Sequence, residues 1–169
     1  MKIDDIEIRE ELYYTDKHSW IKIEEKICKV GVTDYFQKMV RGWAFRAPSE
    51  LVYIELPKKG SKVSKSDSIA SIESLKAVSD LSAPLSGDII EVNEELIDAP
   101  ELIGESPYDD GWIVIMKPFD FKSEIKSLMN VEDYRKHLKK LIEARKSEIE
   151  KEYEKMMKKV GLKKEFLER

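Results

Sequence analysis

Through the first 118 residues, short runs of apolar residues alternate with polar ones or are broken by turn residues, the pattern of strands packed on one face. Trp20, Ile21 and Ile23 lie in one predicted strand, Ile27-Cys28-Lys29-Val30-Gly31-Val32 forms the next, and Glu24-Glu25 is read as the turn between them. Cys28, Val30 and Val32 share one face at period two, which makes Cys28 a small buried side chain rather than a nucleophile. Thr33-Asp34 precedes a short helix from Tyr35 to Val40 as a capping pair. Further strands are expected at 51–56, from Val63, and at 67–73, 89–93 and 113–117, separated by turns such as Lys58-Lys59-Gly60 and Lys65-Ser66-Asp67. Asn93 is expected to cap a helical stretch through Ile97, and Ser123 another from Glu124 to Met129.

From Asp120 the pattern becomes helical. Val131 to Lys159 contains neither Pro nor Gly, and a helix of that length spans about 44 Å. Leu138, Leu141, Ile142, Ile149, Tyr153, Met156 and Val160 form an apolar stripe expected to face inward. Gly161 interrupts it before Leu162, Phe166 and Leu167. These changes divide the chain into a body, residues 1–130, and a C-terminal helical extension, residues 131–169. Isolated helices are marginal in water, so the stripe needs a cover, either the body or a second copy in a homodimer.

Charge sharpens this division. The whole chain carries −4, but residues 131–169 hold 13 Lys/Arg against 9 Asp/Glu, +4, which leaves −8 on residues 1–130. An acidic body repels phosphate, so nucleic acid is not an expected partner. No apolar run approaches the roughly 18 residues of a membrane span. The start, Met1-Lys2-Ile3-Asp4-Asp5, lacks the apolar segment of a targeting signal. One cysteine and two histidines offer neither an internal disulfide nor a metal-ligand set, and a reducing cytoplasm fits that usage. Glycine-rich phosphate loops and Ser/His/Asp orders are absent as well, so the sequence reads as a non-catalytic component.

The chemistry concentrates in Glu73-Ser74-Leu75-Lys76-Ala77-Val78-Ser79-Asp80. A strand leads in from Asp67 and another leads out through Leu81 towards Ala83-Pro84-Leu85-Ser86-Gly87. Lys76 is thereby placed at the tip of a hairpin, with Ser74 and Leu75 rounding the turn. Such a lysine is presented to other proteins rather than used in place.

This text closely resembles the lipoylation site of the H protein of the glycine cleavage system. The resemblance extends over residues 12–135, through Trp20, Val30-Gly31-Val32-Thr33-Asp34, Tyr53-Ile54-Glu55-Leu56-Pro57 and Ser106-Pro107-Tyr108-Asp109-Asp110-Gly111-Trp112. It implies an α+β fold that is mainly β, a flattened lipoyl/biotinyl-type sandwich (barrel-sandwich hybrid) with Lys76 at a hairpin tip. It also implies lipoic acid in amide linkage to Lys76, with Glu73, Asp80 and Gly87 serving ligase recognition or hairpin support. The implied activity is to shuttle the aminomethyl group of glycine. The implied partners are a pyridoxal-phosphate glycine decarboxylase, an aminomethyltransferase, a dihydrolipoyl dehydrogenase, and a lipoate ligase or a lipoyl synthase/transferase pair.

Three features depart from the family pattern. Ser19 stands where H proteins carry the glutamate of His-Glu-Trp, residues 41–50 look like an insertion bearing Trp43 and Phe45, and the tail is an addition. Two other readings therefore stay open. One is an H-like lipoate-binding protein of a heterodisulfide-reductase-like sulfur oxidation system, or a lipoyl relay. The other is an unlipoylated scaffold.

Overall fold

The computed structural model describes residues 2–41 and 50–160. Trp43 and Phe45 of the insertion, and Leu162, Phe166 and Leu167 of the tail, lie outside the described residues.

In chain order the strands and helices are β1 (Lys2–Ile3), β2 (Ile6–Glu7), β3 (Tyr13–Tyr14), β4 (Ser19–Glu24), β5 (Ile27–Val32), α1 (Asp34–Arg41) and β6 (Leu51–Glu55). There follow β7 (Lys62–Val63), β8 (Ser68–Ser74), β9 (Val78–Ser82), β10 (Gly87–Val92), α2 (Glu95–Asp98), α3 (Leu102–Glu105), β11 (Val114–Pro118), α4 (Phe121–Glu124) and α5 (Val131–Val160). Among the described residues, a six-stranded sheet has the order β3-β4-β5-β11-β10-β7 and a three-stranded sheet the order β6-β8-β9, with β1-β2 as a separate pair. All pairings are antiparallel. This is the α+β, lipoyl-type sandwich expected from the sequence.

The core joins the two larger sheets. Cys28, Val30 and Val32 of β5, with Val114 and Met116 of β11, share one buried cluster with Ile54 of β6, Ile69 and Ile72 of β8, and Leu81 of β9. The period-two face read for β5 is thus the inner face. Each such aliphatic side chain contributes about 1.5–3 kcal/mol when fully removed from water. Burial also pushes the Cys28 thiol up to about 11, which suppresses the reactive thiolate.

Two glycines are required by close approaches. A Cβ on Gly31 would come within 2.7 Å of the Trp20 indole, and one on Gly87 within 2.4 Å of the Lys117 carbonyl oxygen. The Ser106-Pro107-Tyr108 segment closes the same region: Trp20 Nε1 donates to Pro107 O at 2.8 Å, and Tyr108 Oη donates to Glu7 O at 2.6 Å.

Several local expectations are corrected. Glu24 ends β4, and the turn falls at Glu25, whose φ is +56°. Asn93 does not cap α2 with its side chain. It is buried, and its Nδ2 donates to the carbonyls of Asp110 and Trp112, in the segment that leads into β11, at 2.8 and 2.7 Å; satisfying the buried amide outweighs an exposed cap. Ser123 is not a cap either, because Asp120 accepts from its backbone N–H at 3.1 Å. Thr33 does cap α1, its Oγ1 accepting from Phe36 N at 3.2 Å.

The chain forms two compact units, Met1–Tyr134 and Arg135–Arg169. Helix α5 runs unbroken from one into the other, starting at an Asn130 cap whose Oδ1 accepts from Asp133 N at 2.9 Å. Its stripe does not face inward throughout. Leu138 and Ile142 are buried, whereas Ile149 and Met156 are 44% and 54% exposed.

Candidate functional site

The lysine hairpin is built by β8 and β9. Strand β8 buries Ile69, Ala70, Ile72 and Ser74 and exposes Glu73. Its register with β9 sets Glu73 opposite Val78, Ile72 opposite Ser79 and Ser71 opposite Asp80. Residues directly opposite in an antiparallel pair share a face, so Glu73 and Asp80 both point outward on the side away from Ile72. On the other flank of β8, Tyr53 of β6 pairs with Glu73. The exposed row Tyr53–Glu73–Val78 therefore crosses the sheet just below the tip.

Two residues, Leu75 and Lys76, round the tip, and neither has a left-handed backbone. The turn is consequently not of the primed kind that usually joins hairpin strands. Ser74 makes up the difference. Its backbone N–H donates to Ala77 O at 2.8 Å, while its hydroxyl oxygen accepts from the N–H groups of Lys76 and Ala77 at 3.2 and 3.1 Å. The same buried hydroxyl lies 2.9 Å from Val40 O, to which it donates, at the end of α1. Leu75 N donates to Glu50 O at 3.3 Å. The tip is thus held by its own serine and by two neighbouring segments.

Leu75 and Lys76 are exposed, and no described residue hydrogen-bonds or ion-pairs with the Lys76 amine. An amine held in solvent on a braced turn can be acylated by an enzyme and can then swing the attached group. Those are the demands of covalent lipoic acid, and the residues fit them.

A cleft of about 400 Å³ lies beside the hairpin, lined by Arg41, Glu50, Leu51, Glu101 and Glu105. Leu51 pairs with Ser74, which places one wall of the cleft against the base of the tip. Its carboxylates suit a small cationic group, and Arg41 suits a polar or anionic one.

The structure brings Lys76, Glu73 and Asp80 together on one hairpin but places Gly87 elsewhere. Gly87 sits in β10 between Val63 and Pro118, where it permits strand approach. Ser74 was missed as a support residue by the sequence reading. A serine at the last strand position before a turn, able to bond its own backbone, is the available signal for it. His18 has a φ of +63° and is buried, with Nδ1 3.0 Å from the Tyr134 hydroxyl, which is also 3.1 Å from Thr33 Oγ1. It is a packing residue, and among the described residues no cluster of three potential ligands could hold a metal. Ser19 is fully buried, and its hydroxyl has no hydrogen-bond partner among the described residues.

Comparison with known proteins gives a consistent result. Residues 12–141 match the family model described as glycine cleavage H-protein. A probable glycine cleavage system H protein of Thermococcus gammatolerans is 43% identical over 142 residues, 83% of this chain and 99% of that one. The glycine cleavage system H protein of Geobacillus kaustophilus is 42% identical over 124 residues, 73% of this chain and 91% of that protein. Glycine cleavage system H protein 4 of Aquifex aeolicus is 37% identical over 86% of this chain and 80% of its own length. The crystal structure of a glycine cleavage system H protein from Mycobacterium marinum superposes with a TM-score of 0.65 at 32% identity, covering 75% of this chain and 95% of that one.

Proposed function

Because the chain belongs to the glycine cleavage H-protein family, whose members carry lipoic acid on a lysine, we propose that Lys76 is its attachment point. The observation that carries this reading is the solvent-held Lys76 amine on a turn braced by Ser74. When bound, lipoic acid supplies a ring disulfide that can be opened at sulfur and later reformed. The protein supplies a rigid post, a tether that keeps the group at high local concentration, and surfaces for its partners.

The cargo is the aminomethyl group of glycine, taken from a pyridoxal-phosphate decarboxylase and delivered to an aminomethyltransferase, with a dihydrolipoyl dehydrogenase restoring the ring. The acidic cleft at the hairpin base suits such an amine-bearing group, since Glu50, Glu101 and Glu105 offer carboxylates to an ammonium. The protein itself is a non-catalytic carrier working in the cytoplasm. No helix among the described residues is long and apolar enough to cross a membrane. The relatives named above are all glycine cleavage proteins and lend no support to a sulfur-oxidation carrier or an unlipoylated scaffold.

The test is intact mass after incubation with lipoate ligase, lipoate and ATP, followed by aminomethyl transfer with the partner enzymes. One lipoyl increment, located at Lys76 by peptide mapping and absent from Lys76→Arg, is expected. The substitution changes an exposed side chain that makes no hydrogen bond or ion pair with the described residues, so the melting temperature of Lys76→Arg stays near wild type. Modification of the Arg variant at another lysine overturns the assignment. Lipoylation without glycine-dependent transfer overturns the glycine role alone.

A further inference from the structure

The distal part of α5 lies beyond the family match, which ends at residue 141. It carries the exposed Ile149 and Met156 with the half-buried Tyr153, spaced by four and three residues, the spacing of a two-helix seam. We propose that this segment pairs with the same segment of a second copy, and that the two helices run antiparallel.

Charge decides both the occupant and the direction. Residues 148–154 contain Glu148, Glu150, Glu152 and Glu154 against Lys151, a net −3. Residues 155–160 contain Lys155, Lys158 and Lys159 and no acid, +3. One helix therefore carries adjacent blocks of equal and opposite charge, with their junction between Glu154 and Lys155. An antiparallel pair with its twofold axis at this junction lays each acidic block along the basic block of the other copy. A parallel pair lays like on like, which is repulsive. The same axis sets Tyr153 of one copy beside Met156 of the other, so the apolar seam and the charge blocks select one register. Glu152 then flanks Lys159 of the second copy.

This pairing is independent of any modification at Lys76, so it stands or falls separately from the carrier reading. It makes a geometric demand that single cysteines can read. The native Cys28 is buried and stays silent towards a short bismaleimide crosslinker in the folded wild type. Around an axis between residues 154 and 155, the two copies of residue 156 lie three residues apart along the helices, about 4.5 Å. The two copies of residue 149 lie eleven residues apart, about 16 Å.

The experiment compares Met156→Cys and Ile149→Cys in the full-length chain, with sedimentation velocity of the wild type across a concentration series. The expected result is a concentration-dependent dimer, efficient self-crosslinking of Met156→Cys, and at least tenfold less of Ile149→Cys. Equal crosslinking at both positions overturns the antiparallel arrangement in favour of a parallel one. A monomer at every concentration with neither variant crosslinked overturns the pairing, and means that the seam is covered within the chain or left open.

Discussion

The hydroxyl of Ser74 donates to the carbonyl oxygen of Val40 at 2.9 Å, tying the lysine hairpin to the last turn of α1. That bond joins residues 34 apart in sequence, and the same oxygen accepts the N–H groups of Lys76 and Ala77. The lysine side chain makes no hydrogen bond or ion pair with the described residues, so its position depends on a serine two residues before it.

Ser74→Ala should therefore loosen the tip. It leaves a buried carbonyl and two turn N–H groups without their partner, a loss on the order of 1–3 kcal/mol. Denaturant unfolding should show that loss. Lipoylation of the still-folded variant should slow, because the lysine is no longer held in one geometry. A variant that keeps wild-type stability and ligation kinetics shows the hydroxyl to be dispensable.

Glu73→Ala addresses recognition rather than support. Glu73 is exposed between Tyr53 and Val78 on the outer face of the sheet. Its removal should leave the melting temperature within the small range of surface substitutions, roughly ±0.5 kcal/mol. The expected effect is a several-fold fall in kcat/KM for lipoate ligase acting on Lys76. Unchanged ligation makes Glu73 a solvated charge.

Gly87→Ala should destabilise the sandwich without touching the hairpin. The new methyl group would stand 2.4 Å from the Lys117 carbonyl oxygen and 2.9 Å from its carbon. Backbone must shift to admit it, and overpacking of this kind costs about 1–3 kcal/mol. Lipoylation of the folded fraction should persist, separating this glycine from ligase recognition. A melting curve superimposable on wild type would contradict the close approach of β10 and β11.

Alkaline pH should unfold the body through three tyrosines. Burial holds the phenols of Tyr14, Tyr108 and Tyr134 protonated well above their ordinary range. In the unfolded chain they ionise near pH 10. Above that pH the unfolded state binds fewer protons than the folded one, so stability falls as pH rises. The limiting slope is about 1.4 kcal/mol per pH unit for each tyrosine. Melting temperature should hold up to pH 10 and then drop, with tyrosinate absorbance for these three appearing only on unfolding. Smooth titration of all seven tyrosines near pH 10 in the folded protein rules this out.

Much of the molecule is determined by local pattern. The inward face of Cys28, Val30 and Val32, the strands flanking Lys76, and the unbroken α5 follow from periodicity and from the absence of Pro and Gly, which act within a few residues. The motif around Lys76 is likewise contiguous, so sequence alone reaches both family and fold. Tertiary structure decides what depends on residues far apart in the chain. Asn93 serves the Asp110 and Trp112 carbonyls instead of a helix start, because its own amide is buried beside the segment that leads into β11. Tyr134 stacks on Tyr14 with ring centroids 4.2 Å apart and planes 2° from parallel, which builds the first turn of α5 into the body. Nothing local marks that tyrosine among the charged residues around it. The stripe of α5 reads as one continuous face, yet Leu138 is buried and Met156 exposed. A hydrophobic period states which side of a helix is apolar, and only the tertiary structure decides which positions along that side are buried.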